Sequence, residues 1–182
     1  MRILIFLILI STFSCSKKQM VTESFEHQLL SLEYPKNWKK SDEDMILAIS
    51  KFTKMTAVAE EENPSLVIVA DDSTSLLAYG VTSFEDFLIG FKQTQLSKSH
   101  IELVEDFTTI NINGSEINLI KYKVKNQGHS LLQSQYSFRS LNHYVCLITT
   151  QNFGKHNDEL QTILSTLKIP KQESIQKLFE QE

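Results

Sequence analysis

Disulfides, basic runs and long apolar segments are all scarce in this chain. Its two cysteines, Cys15 and Cys146, exclude the disulfide-dense class of small extracellular scaffolds. Its 18 Lys and Arg stand against 22 Asp and Glu, a formal charge of −4, and no basic run offsets that balance. Nucleic acid and anionic lipid headgroups are therefore disfavoured as principal partners. The apolar run Ile3 to Ile10, ILIFLILI, is too short to span a bilayer. As a helix, Ile3 to Phe13 would cover about 16 Å of a hydrocarbon core about 30 Å thick. G-x-S-x-G, P-loop and Cys-His nucleophile signatures are missing too, so nucleophilic and phosphate chemistry find no local foothold.

What is present begins with an address. Arg2 supplies a short positive region, Ile3 to Ile10 an apolar core, and small or polar residues lead to Ser14 and Cys15. An ordinary signal peptidase site carries small residues at −3 and −1. Here "STFSC" resembles instead the lipobox of bacterial lipoproteins, with Thr12 and Phe13 departing from the usual Leu and small residue. That resemblance implies a signal peptide over 1–14 and a lipidated Cys15 whose thiol carries a diacylglyceryl group with palmitate-like chains. The alternative is plain secretion with Cys15 as a spare thiol. Two or more acyl chains anchor stably and one only marginally. The expected place is the bacterial cell envelope, lipid-anchored to the inner or outer membrane, with the domain in the periplasm or at the cell surface. Losing Arg2 with the signal would leave 17 cations against 22 anions, or −5. Cys146, within the apolar "HYVCLITT", reads as a small buried hydrophobe.

Residues 15–27 read as the lipidated N-terminus and a flexible polar tether. The domain is expected over 28–169, followed by a C-terminal tail over 170–182, with neither internal repeats nor a second domain. Leu30, Leu32 and Tyr34 alternate with Ser31 and Glu33 as a strand with one buried face does, and Pro35 with Asn37 turns the chain towards Trp38. "MILAISKF" and "SLVIVA" are apolar on both faces, which places them inside a covered sheet. The segment "TSFEDFLIGFKQTQL" predicts a helix capped by Thr82 and Glu85, with Phe84, Phe87, Leu88 and Phe91 buried on one stripe despite Gly90.

Asn113-Gly114 predicts a two-residue hairpin turn, so that Ile112 faces Ser115. Counting back, Phe107 should meet Ile120, Leu103 should meet Val124, Asp106 should meet Lys121 and Glu102 should meet Lys125. A second turn near Asn126 leads to a strand with Leu132, Tyr136 and Phe138 on one face, then to a loop at "RSLN" and the strand "HYVCLITT". Leu160, Ile163, Leu164 and Leu167 predict an amphipathic last helix, with Asp158 and Glu159 in its first turn, Lys168 in its last, and Pro170 ending it. Ile175, Leu178 and Phe179 of the tail fall at helical spacing but are too few to hold a helix alone.

A domain opened by "LEYPKNW", continued by a central helix and an antiparallel meander, and closed by "ILSTLKI" resembles the Mog1/PsbP-like superfamily over residues 28–169. The local motif is Tyr34-Pro35-Lys36-Asn37-Trp38, with Asn37 where Gly is commoner. The resemblance implies an α+β fold, an antiparallel β-sheet sandwiched by helices. The pattern itself gives about six strands. It also implies a binding or assembly scaffold, with Tyr34, Pro35 and Trp38 in structural roles and no catalytic residues carried over.

Chemistry-bearing residues are thinly spread. Among the five histidines, His129 and His143 fall roughly 30 Å apart in the expected register, and His27, His100 and His156 sit in solvated surroundings. Asp71 and Asp72 are candidate oxygen ligands for a hard cation, but neighbours on an extended chain point to opposite sides; the alternative is a turn in which Asp and Ser bond the local backbone. The row Lys121, Lys123, Lys125 reads as cross-strand ion pairs, because acidic residues stand opposite two of the three. The reading that follows is a membrane-tethered, non-enzymatic module for binding or assembling a protein partner, without a cofactor and with its oligomeric state open. The alternative is a small-ligand or metal-binding protein, or an enzyme, using a pocket between the sheet and the 83–97 helix.

Overall fold

Period-2 alternation in the long strands is what builds the core. The computed structural model describes residues 21–40, 46–50, 63–78, 80–126, 129–141, 144–152 and 156–170. Strands β1 (Thr22–His27) and β2 (Leu30–Pro35) form a two-stranded sheet. Strands β3 (Lys39–Lys40), β4 (Leu47–Ser50), β5 (Ser65–Asp72), β6 (Ile101–Ile112), β7 (Ser115–Asn126), β8 (His129–Ser140) and β9 (Tyr144–Asn152) form a second sheet in the order β3-β4-β5-β9-β8-β7-β6. Every pairing is antiparallel. Among the described residues the helices are α1 (Ser73–Ala78), α2 (Phe84–Leu96) and α3 (Asn157–Ser165).

The fold is α+β, and its main sheet has seven strands where about six were expected. A short strand was expected to start at Trp38, and β3 is that strand, two residues long at the sheet edge. The separate β1–β2 hairpin also orders Thr22–His27, which had read as tether. Of that segment only Phe25 packs on the core, so its sequence gave little sign of a strand.

One face of the large sheet is apolar and dry. Ile68 lies opposite Ile148, which lies opposite Tyr136, and that residue opposite Leu119; Ala70, Cys146 and Phe138 form the next row. Onto this face pack Leu30, Leu32 and Tyr34 of β2 and Leu160, Ile163, Leu164 and Leu167 at or near α3. Two backbone hydrogen bonds between Ser31 and Lys168, of 2.9 and 2.8 Å, and a 2.8 Å bond from the Glu33 amide to Thr166 Oγ1 fasten β2 to the end of α3. Helix α3 stops at Ser165, short of Pro170, and Lys168 serves this bridge rather than the last helical turn.

The other face bears Val69, Leu147, Ser137, Gln135, Gln133 and Tyr122 and is overlaid by α1 and α2, so helices lie on both sides of the sheet. Here the expectation for α2 fails. Phe84, Phe87, Leu88 and Phe91 are only half-buried, and no residue of α2 is fully buried. The sheet beneath mixes the buried Ile120 and Tyr122 with amide and hydroxyl side chains, and the rings of the helix stack on one another, with centroids 6.2 Å apart for Phe84–Phe87 and 6.0 Å for Phe87–Phe91. The helix start also shifts by one residue. Ser83 is the N-cap and accepts from the Asp86 amide at 3.0 Å, while Thr82 donates to the Asp86 carboxylate at 2.6 Å.

The Asn113-Gly114 turn is present, both residues at positive φ (51° and 82°), and Ile112 faces Ser115. Irregularities between Leu103 and Thr108 then displace the register. Leu103 pairs with Tyr122 instead of Val124, Glu102 with Lys123 instead of Lys125, and Lys121 faces Glu105 instead of Asp106. The β8–β9 connection is tighter than expected, since Ser140 pairs with Tyr144 and Phe138 with Cys146.

Candidate functional site

The chemistry-bearing residues end up in local structural tasks. Asp72 Oδ1 accepts from the Thr74 amide at 2.8 Å and from its hydroxyl at 2.6 Å, which fastens the start of α1. Asp71 and Asp72 pair with Val145 and Tyr144 respectively, so the two carboxylates leave the strand on opposite faces and the structure does not bring them together. Among the described residues, no group of three or more His, Cys, Asp or Glu is placed to hold a metal ion. His143 lies outside the described residues; His129 pairs with Asn126 at one end of β8, and His156 Nδ1 stands 3.6 Å from Glu159 at the start of α3. Tyr34 and Trp38 are both buried in the core, and the Trp38 amide closes a turn on Pro35 at 2.8 Å. Burial pushes the Cys146 thiol up to about 12, so it is inert at neutral pH. Cys15 and the tail beyond Pro170 lie outside the described residues.

Two lysines of the row form ion pairs, while Lys123 stands opposite Glu102 in the strand register. Lys121 meets Glu105 at 2.6 Å, Lys125 meets Glu102, and Lys92 of α2 reaches Asp106 at 2.5 Å. The bond from Lys125 holds the Glu102 carboxyl below its ordinary range, and the bond from Lys92, followed by that from the Phe107 amide, does the same for Asp106. These lowered values add stability above the unfolded carboxylate pKa that is lost as the pH falls through the folded one. Both carboxylates are solvent-exposed, so the effect is small.

A polar column runs under α2. Tyr122 on β7 and Gln135 and Ser137 on β8 share the helix-covered face; the Tyr122 and Ser137 hydroxyls and Gln135 Oε1 are buried without a hydrogen-bond partner among the described residues. Burial, with Asp106 nearby, pushes the Tyr122 phenol up to about 12, so its hydroxyl stays protonated. A buried donor left unpaired costs about 1 to 3 kcal/mol. Tyr122→Phe, which keeps the ring and removes the donor, is therefore expected to stabilise the protein by about 1 kcal/mol in urea denaturation. A loss of comparable size would mean that the hydroxyl is satisfied in solution.

Two surface features stand apart from these pairs. The first is a strip. Ile89, Lys92 and Leu96 follow one another along one side of α2, and because Lys92 is bonded to Asp106, that side borders β6. Ile89 and Leu96 are 49% and 38% exposed, and Leu103 on β6, whose partner Tyr122 lies on the helix-covered face, is 38% exposed. The second is a cavity of about 370 Å³ where α1, the α1–α2 connection and the start of α2 overhang the end of the sheet. Arg139 of β8 and Val145 of β9 border it from the sheet, Leu76, Leu77 and Phe84 supply apolar wall, and Ser73, Thr82 and Ser83 supply hydroxyls. Among the described residues its lining holds no carboxylate and no histidine. Sequence reasoning placed a possible pocket near this helix but missed Arg139, because the residue is brought to the cavity only by the β8–β9 ladder.

No protein-family model matches the sequence, and no curated protein matches it. Solved structures do. A Pseudomonas aeruginosa protein of unknown function superposes with a TM-score of 0.51 at 18% identity, over 82% of this chain and 97% of the other. LpqN of Mycobacterium tuberculosis, described as involved in cell envelope biogenesis, gives 0.51 at 11% identity, over 84% and 92%. The cyanobacterial PsbP of Synechocystis gives 0.51 at 16% identity, over 86% and 98%. At these identities the likeness speaks to architecture, and with the seven-stranded sheet between its two helical layers it places the chain's domain in the Mog1/PsbP-like fold.

Proposed function

We propose that the protein is a membrane-tethered module of the bacterial cell envelope, held by a lipid on Cys15, that binds a protein partner through the α2–β6 strip and takes part in assembly rather than catalysis. The observation that carries this reading is the strip itself: Ile89, Leu96 and Leu103 remain exposed beside the ion pair between Lys92 of α2 and Asp106 of β6. Large apolar side chains grouped on one surface mark interaction sites, whereas scattered ones need no explanation. The envelope role of LpqN, a structural neighbour, supports the setting. Among the described residues no helix is long and apolar enough to cross a membrane, which suits attachment through an anchor.

The test has two arms. Cys15→Ser is expected to move the protein from the membrane to the soluble fraction; persistence in the membrane with unchanged fatty-acid labelling would refute the lipid anchor. Photo-reactive residues at Ile89 and Leu103 should yield one common cross-linked adduct in cells, absent when the same group is placed at Thr162 on the exposed side of α3. Equal cross-linking from Thr162, or none from the strip, would remove the α2–β6 surface as the docking site.

A further inference from the structure

The cavity beside Arg139 lies apart from the α2–β6 strip and has a chemistry of its own. Its volume of about 370 Å³ falls within the range of small-molecule sites, roughly 300 to 1,000 Å³. One wall is α1, a six-residue helix that buries none of its residues and leaves Leu77 55% exposed. Ordering such a helix costs conformational entropy that its own burial does not return. A ligand lying against Leu76 and Leu77 would supply the missing apolar contact.

The polar side is as informative. Thr82 and Ser83 are committed to Asp86 of α2, the first through its hydroxyl to the carboxylate and the second through the helix cap. Their bonds, that of Thr82 foremost, hold the Asp86 carboxyl below its usual range, so a fixed negative charge sits next to the rim at neutral pH. Arg139 is then the cavity's cation among the described lining residues. It is exposed and already engaged within the fold, but a guanidinium carries five donors in a planar fork suited to a carboxylate as well as to a contact it already makes. Asp71 adds a second negative charge: it and Arg139 are both paired with Val145, one on each neighbouring strand. With Asp71 across β9 from Arg139 and Asp86 at the rim, the cavity tolerates a single added negative charge far better than two.

We propose that this cavity binds a small amphiphilic monocarboxylate, its acid group on the Arg139 guanidinium and its hydrocarbon body against Leu76, Leu77, Phe84 and Val145. The contact is a charge-assisted hydrogen bond at a partly desolvated site, so losing it should weaken binding at least about tenfold. Octanoate is a suitable probe, with octanol lacking the charge and octyl phosphate carrying more of it.

The experiment titrates the full chain, held in nanodiscs with empty discs as the blank, with isotope-labelled octanoate and follows the carboxyl resonance of the bound probe. Saturable binding at one site is expected, weakened at least about tenfold by Arg139→Gln and partly restored by Arg139→Lys. Octanol and octyl phosphate should each bind less tightly than octanoate. Leu76→Trp, which fills the cavity from a half-buried position, should abolish binding while leaving the thermal midpoint near that of the parent protein. The proposal is overturned if octanoate fails to saturate, if Arg139→Gln binds it as tightly as the parent, or if octanol or octyl phosphate binds as well as octanoate.

Discussion

Leu164→Ala is expected to lower the unfolding free energy by about 2 to 5 kcal/mol, the range for truncating a buried leucine. Leu164 is 1% exposed and belongs to a contiguous core with Ile163, Leu160 and the sheet residues Tyr136 and Ile148. Apart from the bonds that Asn113 and β2 make at its C-terminal end, the helix carrying it is held by this packing. A nine-residue helix is marginal on its own in water, and its N-cap residue, His156, makes no side-chain capping bond. Packing therefore supplies both the helix and the cover for the dry face of the sheet. The urea midpoint reads the effect, with Thr162→Ala as the exposed control expected to stay within about 0.5 kcal/mol. A loss below about 0.5 kcal/mol for Leu164→Ala would mean that α3 does not seal the core.

This helix was legible because its period agrees with its environment: four apolar residues recur at helical spacing and all four become buried. Helix α2 shows the limit of the same reasoning. Its stripe announced a helix correctly, but depth of burial depends on the opposing surface, and Gln133, Gln135 and Ser137 had no partner visible in a linear sequence. The hairpin register was legible from Asn113-Gly114 as far as the first irregularity. A bulge needs no special residue type, and Lys121 could be matched to Asp106 or Glu105 by charge alone. Lys92, contributed by another element, takes Asp106 and leaves Glu105 to Lys121. The cavity was the least legible feature. Arg139, Val145 and Phe84 meet through strand pairing and helix placement, neither of which leaves a local motif.

Asn113 combines both situations, since its role as a turn residue was legible and its second role was not. Its φ of 51° lies in the left-handed region, which Asn tolerates better than most residues and Gly better still. Its side-chain amide also crosses to the end of α3, where Nδ2 donates to the carbonyls of Ser165 and Leu167, each at 2.8 Å. Those carbonyls belong to a helix end that lacks enough backbone donors, so the β6–β7 turn acts as a cap for α3. Asn113→Ala should therefore lose two hydrogen bonds at about 1 kcal/mol each and add the strain of an alanine at positive φ, for a total of about 2 to 4 kcal/mol. Asn113→Gly separates the contributions, because it relieves the backbone while still removing the amide, and should cost about 2 kcal/mol. Asn113→Asp keeps the size but sets a carboxylate against two carbonyl oxygens, so it should be worse than Gly near neutral pH and improve as the pH falls and the acid protonates into a donor. Urea midpoints of the three variants at neutral and acidic pH test the scheme. If Gly matches the parent protein, the turn conformation alone matters and the bridge to α3 carries no energy; if Asp behaves as Gly at every pH, the side chain is not held against the carbonyls of Ser165 and Leu167.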